Sequence, residues 1–354
     1  MRVNHRGIIL ITLAIVFLLA GCGKKEDVKK TEKEKEEPKQ EEIVDTHEGE
    51  AISTITGLYI DEEIAKQRPV AFMMGNTADA APQSGIGEAA VVYEIPVEGG
   101  ITRLMAIIEN YKELEKIGSS RSCRYYFVHY AMEYGAMYAH FGQSKYALPT
   151  LNDALVHNIN GLEGAAGKCY YRTSDRKPPH NAYANGQKIY DFAVSKGYPT
   201  EYEEGQESHF QFVEEETENL LESGTDARIV RPGYQIDNPW FDYNETDKMY
   251  YRSQYGKPHV DKETNQQLSC KNIIIQYVKI GLFDDRKSLI IDTVGSGSGM
   301  FVTNGKAISI TWKKDTNYGV TKYFDESGNE IKLNRGKTWV LLVDQNKSSK
   351  VEIQ

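Results

Sequence analysis

Apolar and polar positions along this chain follow two different rhythms, and the change from one to the other divides it. RPVAFMMGN (Arg68 to Asn76) is an apolar run opened by Pro69 and closed by Gly75-Asn76, and it predicts a buried strand. VVYEIPVEGGITRLMAII (Val91 to Ile108) has two β-branched, apolar arms around Gly99-Gly100 and predicts a β-hairpin. In SCRYYFVHYAMEYG, Cys123, Tyr126, Phe127, Tyr130, Ala131 and Tyr134 recur at helical spacing, with Ser119 or Ser120 available as the cap and Gly135 as the stop. AMYAHFG predicts a short strand. Ser144 to His157 predicts a helix bent or divided at Pro149. CYYRTSDRKPPHNAY reads as a loop, and GQKIYDFAVSKG as a second amphipathic helix closed by Gly197. Strands alternating with helices indicate a mixed α/β N-terminal domain over residues 53–224.

From about Thr225 the helical period disappears. ARIVRPGYQI, NPWFDYNETDKMYYRSQ, NIIIQYVKIG, SLIIDTVGSGSGMFVTNGKAISITWKK, TKYFDESGNEIKL and KTWVLLV are successive strand patterns, separated at Asn244-Glu245, Asn304-Gly305 and Gly328-Asn329. Asn304-Gly305 has the composition of a type I′ turn. The expectation is an antiparallel, all-β C-terminal domain over residues 225–354, and an α+β protein as a whole. GSGSGM lacks the lysine and the following helix of a phosphate loop and reads as a flexible strand connection.

The amino terminus breaks both patterns. Arg2, His5 and Arg6 precede an apolar run from Gly7 to Ala20, shorter than the about 20 residues that span a bilayer. It fits the core of a secretory signal over residues 1–21. The run ends in Leu19-Ala20-Gly21-Cys22, which resembles the bacterial lipobox. That resemblance implies lipidation of Cys22, cleavage before it and fatty acylation, such as palmitate, of the new amino terminus. Several chains on one residue supply an anchor that one chain lacks. Residues 22–52 are then a Lys/Glu-rich tether with too little apolar surface to offset its ordering entropy.

Charge and cysteines narrow the function. A net charge of −9 argues against nucleic acid as a partner, since duplex binding rests on neutralising phosphates. Beyond Cys22 only Cys123, Cys169 and Cys270 remain, with no C-x-x-C, so neither a disulfide framework nor a zinc site is signalled and no cofactor is implied. Twenty-three tyrosines suit sugar or peptide surfaces and exposed sheets alike.

Candidate chemistry centres on the hairpin. With Gly99 and Gly100 as a two-residue turn, Glu98 faces Ile101 and Pro96 faces Arg103, which places Glu94, Pro96, Glu98 and Arg103 on one face. Such a set is either a site or the salt-bridged wet face of a sheet. Four residues of strand span about 13 Å, too far for the ~5 Å or ~6.5–9.5 Å of a glycosidase carboxylate pair unless Pro96 bends the strand. Ser119, Ser120 and Arg121 at a helix start, with Arg124 in its first turn, compose an anion site or a plain helix cap. Cys123 lies between two arginines, a setting that favours thiolate, but it also falls on the apolar stripe of the helix. His140 ends a short strand, and His180 and Asn181 lie in the loop PPHNAY; either histidine could serve acid–base chemistry or be structural. Spacing gives no support to a metal held by His140, His180 and a glutamate. GKPHVD (Gly256 to Asp261) is a further polar loop.

RPVAFMMGN, APQSGIGEAAVVYEIPVEGGITRLMAII, IGSSRS, HFG, PPHNAY, YYRSQYGKPHVD, KNIIIQYV, NGKAISITWKK and LNRGKTWVLLV, in that order, resemble the YerB-like lipoproteins of Gram-positive bacteria, from about Arg68 to the C-terminus. The resemblance implies a lipoprotein with two domains of unknown function and supplies no reaction. The expectation is therefore an extracytoplasmic protein anchored to the cell membrane through lipidated Cys22. A polar cleft of Glu94, Glu98, Arg103, Arg121, His140 and His180 would bind a cell-envelope glycan such as peptidoglycan, a peptide or an envelope protein. The alternative is a cell-wall hydrolase or lyase working through a carboxylate and a histidine. Substrate capture for a transporter would want two similar lobes, which the pattern lacks.

Overall fold

The run Val70–Gly75 (β1) is buried at every position, as a continuous apolar strand covered on both faces must be. This computed structural model describes residues 47–203 and 205–354; the expected signal, Cys22 and most of the tether lie outside them. Within the tether's expected bounds, Glu50–Ile52 is not unstructured but pairs with Tyr59–Asp61. The N-terminal segment continues with β2 (Val91–Pro96), β3 (Thr102–Ile108), helix α1 (Tyr125–Met132), β4 (Met137–His140), β5 (Asn158–Asn160) and helix α2 (Gly186–Lys196). The C-terminal segment supplies β6 (Thr225–Asp226), β7 (Trp240–Asn244), β8 (Met249–Gln254), β9 (Asn272–Val278), β10 (Ile280–Leu282), β11 (Leu289–Ile291), β12 (Gly295–Thr303), β13 (Lys306–Lys314), β14 (Lys322–Phe324) and β15 (Thr338–Asp344).

One 11-stranded sheet draws on both segments, in the order β6-β13-β12-β9-β15-β2-β3-β1-β4-β5, with β14 also on β13. Each segment contributes an unbroken block, and the blocks meet at one seam, where Thr338–Leu341 runs parallel to Val91–Glu94. Residues 47–354 accordingly form one compact unit. The C-terminal segment holds no α-helix, but it is not purely antiparallel: β9 and β15 pair in parallel over seven residues. α1 covers one face of the sheet with Tyr126, Phe127 and Tyr130. The other face carries α2 and a six-stranded sheet containing β7 and β8, whose Phe241 packs on Trp339 at 5.6 Å between ring centroids.

Four local expectations change. The hairpin loop holds three residues, Glu98, Gly99 and Gly100, closed by the Val97 N–H on the Ile101 carbonyl at 2.9 Å; both glycines take positive φ. Pro96 therefore faces Thr102, and Ile95 faces Arg103. Second, α1 starts at Tyr125 rather than near Ser119 or Ser120. The intervening N–H groups are committed elsewhere: Ser120 to the Ala182 carbonyl, Arg121 to Met73 and Cys123 to Gly142. Third, the helix expected over Ser144 to His157 shrinks to Leu148–Leu151 after a 3-10 turn, and the expected loop contains the paired strands Tyr170–Arg172 and Ala182–Ala184. Fourth, GSGSGM is the paired first half of β12. A side chain at Gly297 would meet the Trp312 ring at 2.7 Å, and one at Gly299 the Ile275 carbonyl at 2.4 Å, so the glycines serve close packing.

Candidate functional site

β5, β4, β1, β2, β15 and β9 all run in one direction, so their carboxyl ends share one edge of the sheet. In open α/β sheets that edge is where ligands settle. Gly75, the hairpin tip and the 119–124 segment all lie there.

The one-residue change of register decides which groups meet. A slip of one position sends a side chain to the opposite face of a sheet. Arg103 consequently lies on the α1 face with Ile95 and Met105, whereas Glu94 lies on the other face with Leu104. The expected single cleft is thus divided.

On the α1 face three arginines gather. Arg103 is only 5% exposed, donates one hydrogen bond, to the Ser122 carbonyl at 2.5 Å, and makes no ion pair among the described residues, although it feels the Glu98 carboxylate from a distance. Burial first, then Arg124 and Arg121, pull its guanidinium down to about 10, so it stays charged at neutral pH. Arg121 lies across Gly75, where an added Cβ would stand 3.0 Å from its Cγ, so the glycine makes room for its stem. Its Nη1 donates to the Pro179 carbonyl at 3.2 Å. Arg124 is matched: its Nε and Nη2 grip Glu98 at 2.6–3.0 Å, and the pair holds the Glu98 carboxyl below its usual range against burial. One carboxylate thus faces three guanidinium groups. The hydroxyls of Ser119 and Ser120 in the adjoining segment are buried without a hydrogen-bond partner. This set can hold an anion, although not as a helix terminus.

The other candidates are spent or displaced. His140 is fully buried, with Nδ1 on the Gly142 carbonyl and Nε2 on the Asn158 side chain, both at 2.7 Å. Burial lowers its pKa. His180 reaches Thr77 at 3.4 Å and feels the charge of Arg121, so it borders the arginine site. Asn181 holds its own loop, accepting from Arg172 at 2.7 Å and donating to Thr173 at 2.8 Å. Cys123 is sealed, and burial pushes its thiol up to about 12, which removes the thiolate reading.

Glu94 anchors a buried network between the two segments. Nη2 of Arg252 contacts both its carboxyl oxygens at 3.0 and 2.8 Å, and Asn76, Thr102 and Trp339 donate to it as well. Asn76 and Thr102 also reach Asp237, each at 3.0 Å. The Thr102 hydroxyl sits within 3.0 Å of both carboxyl groups and so ties them together. Burial raises the Glu94 carboxyl to about 8, with Arg252 opposing the rise and Asp237 adding to it. Nη1 of Arg252 donates to Nδ1 of His259, whose Nε2–H then reaches Gln83 at 2.6 Å; the histidine is held neutral, well below its usual range. Sequence spacing missed these partners, because Arg252 lies 158 residues from Glu94. A second sealed cluster joins Glu133 at the end of α1 to Lys314 at 2.5 Å, His209 at 2.8 Å and Thr321 at 2.8 Å. Neither Glu94 nor His140 retains a free, accessible group for acid–base work. Among the described residues no group of three or more metal-ligating side chains comes together, and no helix is long and apolar enough to cross a membrane.

Residues 55–199 match the N-terminal domain, and residues 230–340 the C-terminal domain, of a family described as protein of unknown function (DUF3048). A Bacillus subtilis (strain 168) protein named "Putative lipoprotein YerB" is 28% identical over 339 residues, which cover 93% of this chain and 92% of that protein. The crystal structure of the YerB protein from Bacillus subtilis has a TM-score of 0.75 and 28% identity, covering 86% of this chain and 99% of that one.

Proposed function

The chain belongs to the DUF3048 family, and from that premise we propose that it is a membrane-anchored, extracytoplasmic lipoprotein that binds an anionic group of a cell-envelope glycan, peptide or protein. The anchor is Cys22, in keeping with its lipobox-like setting and with the name of its Bacillus subtilis relative. The observation that carries the binding reading is Arg103. A buried guanidinium without a carboxylate costs free energy, and a cost of that kind is retained where a ligand supplies the missing charge. Arg121 stands beside it, and Ser119 and Ser120 offer hydroxyls with no other partner. Binding is favoured over hydrolysis because Glu94 and His140 are consumed by structural bonds.

The test is co-sedimentation of the full chain with isolated cell wall. Arg121→Ala should weaken binding by about 1.5–3 kcal/mol, the worth of a charged hydrogen bond, at little cost to stability. Unchanged sedimentation of both Arg121→Ala and Arg103→Gln would overturn the reading. Metabolic labelling with a fatty-acid analogue tests the anchor separately; equal labelling of wild type and Cys22→Ala would remove it.

A further inference from the structure

A second recess lies on the other side of the same hairpin tip. Glu98 turns to Arg124, whereas Gly99, Gly100 and Ile101 line a cavity of about 300 Å³ at the carboxyl ends of β2 and β15, walled by β10 and β11. That volume is at the small end of the range for small-molecule sites.

Most of the lining side chains are apolar. Pro96, Ile101, Tyr234, Ile280, Leu289 and Val343 present apolar surface. Two polar tips among the lining groups, those of Tyr234 and Thr102, are already engaged, while Gln235 adds an exposed amide. The Tyr234 hydroxyl lies on the Glu94 and Leu342 carbonyls at 3.1 and 2.8 Å, which leaves only its ring for the cavity. The Thr102 hydroxyl is held by Glu94 and Asp237. Away from exposed Gln235 the lining side chains offer a guest mainly apolar surface, which suits hydrocarbon. Leu282, at the mouth, is 53% exposed, apolar surface left to water where a chain would cover it.

Charge is confined to the rim. Lys287 and Lys347 line the cavity, and neither makes an ion pair among the described residues. Asp344 also lines the cavity and accepts the Asn346 N–H at 3.0 Å through one oxygen, while Asp285 accepts the N–H groups of Lys287 and Ser288 and the Ser288 hydroxyl. An apolar interior under a rim of two ammonium groups and one carboxylate, a net positive charge, is complementary to an apolar chain with an anionic head. We propose that this cavity binds a single-chain anionic amphiphile, an aliphatic chain ending in a carboxylate or phosphate, with the chain against Ile101, Ile280 and Leu289 and the head between Lys287 and Lys347. The assignment is independent of the arginine site.

The test irradiates a medium-chain carboxylate bearing a diazirine with the full chain in washed membranes, then maps the labelled peptides. Label is expected on the segments holding Ile101 and Ile280–Leu289, displaced by decanoate and by decyl phosphate alike but far less by decanol. Leu282→Asp should lower labelling about tenfold. The double variant Lys287→Glu with Lys347→Glu should turn the preference toward a decylammonium probe. These three side chains are exposed, so the fold tolerates the changes. Label spread evenly along the chain, as adventitious partition into the bilayer would give, label unaffected by Leu282→Asp, or indifference to the head group would each overturn the proposal.

Discussion

Ile95 and Arg103 face each other across the hairpin, and that pairing sets the Arg103 guanidinium on the α1 face while Glu94 points through to the opposite one. Arg103 is therefore held beside Arg121 and Arg124 by the sheet itself. Its burial is a cost that the free protein carries.

Arg103→Met should separate binding from folding. Replacing a buried, unpaired charge with an apolar side chain of similar length is neutral or stabilising, so stability in urea should be unchanged or rise by up to about 2 kcal/mol. Cell-wall binding should be lost. A variant that unfolds more easily by that amount would show that Arg103 is a structural strut.

Stability should fall as pH rises through the neutral range because of Glu94. Its carboxyl goes from 4.5 unfolded to about 8 folded, so folding takes up a proton between those values. The contribution is complete below about pH 4.5 and is lost as pH climbs past about 8. Urea midpoints between pH 5 and 9 measure it, and Glu94→Gln should flatten that slope. A wild-type midpoint that rises across the range would contradict the raised Glu94 carboxyl.

Lys314→Met leaves Glu133 buried with His209 and Thr321 but without its ammonium partner. Breaking a buried pair from one side costs about 3–5 kcal/mol. Thermal unfolding of the single variant, compared with a Glu133→Leu/Lys314→Met double variant, reads this out. The double variant should recover part of the loss.

A fragment spanning Arg228 to Gln354 should be β-rich by far-ultraviolet circular dichroism. It carries β7 to β15 and their mutual pairing, but it lacks Glu94 opposite Arg252 and β2 beside β15. We expect it to self-associate through the bare Thr338–Leu341 edge. A monomeric fragment as stable as the whole chain would mean that the seam contributes little.

Elements governed by a single local rhythm were legible from the sequence. β1 is one apolar run between turn residues, and α2 ends where Gly197 takes φ 68°. Asn304 and Gly305 both adopt positive φ, as their turn composition implies. What failed was either locally ambiguous or depended on distant chain. Gly99-Gly100 is compatible with a two- or a three-residue loop, and that choice alone moved Arg103 to the other face. Ser119 and Ser120 have the composition of a helix cap, but the N–H groups that would start a helix there are taken by Met73, Ala182 and Gly142. The arginines were visible as residues that hold anions; their convergence was not, because Arg103 and the 121–124 segment meet only through the sheet. Arg252 and Lys314 gave no local signal, since Glu94 and Glu133, which they grip most closely, lie more than a hundred residues away.

β15 is made from residues near the end of the chain yet lies in the interior of the sheet, between β9 and β2. A polypeptide synthesised from its amino terminus therefore holds two unfinished strand edges, at Val91–Glu94 and at Asn272–Val278, until Thr338–Asp344 has been made. Exposed edges of this kind pair with other chains, so the order of synthesis works against the order of the sheet. A chain stopped just short of Thr338 would keep nearly all of its residues and still lack the strand that joins its halves, and its expected fate is aggregation through those two edges.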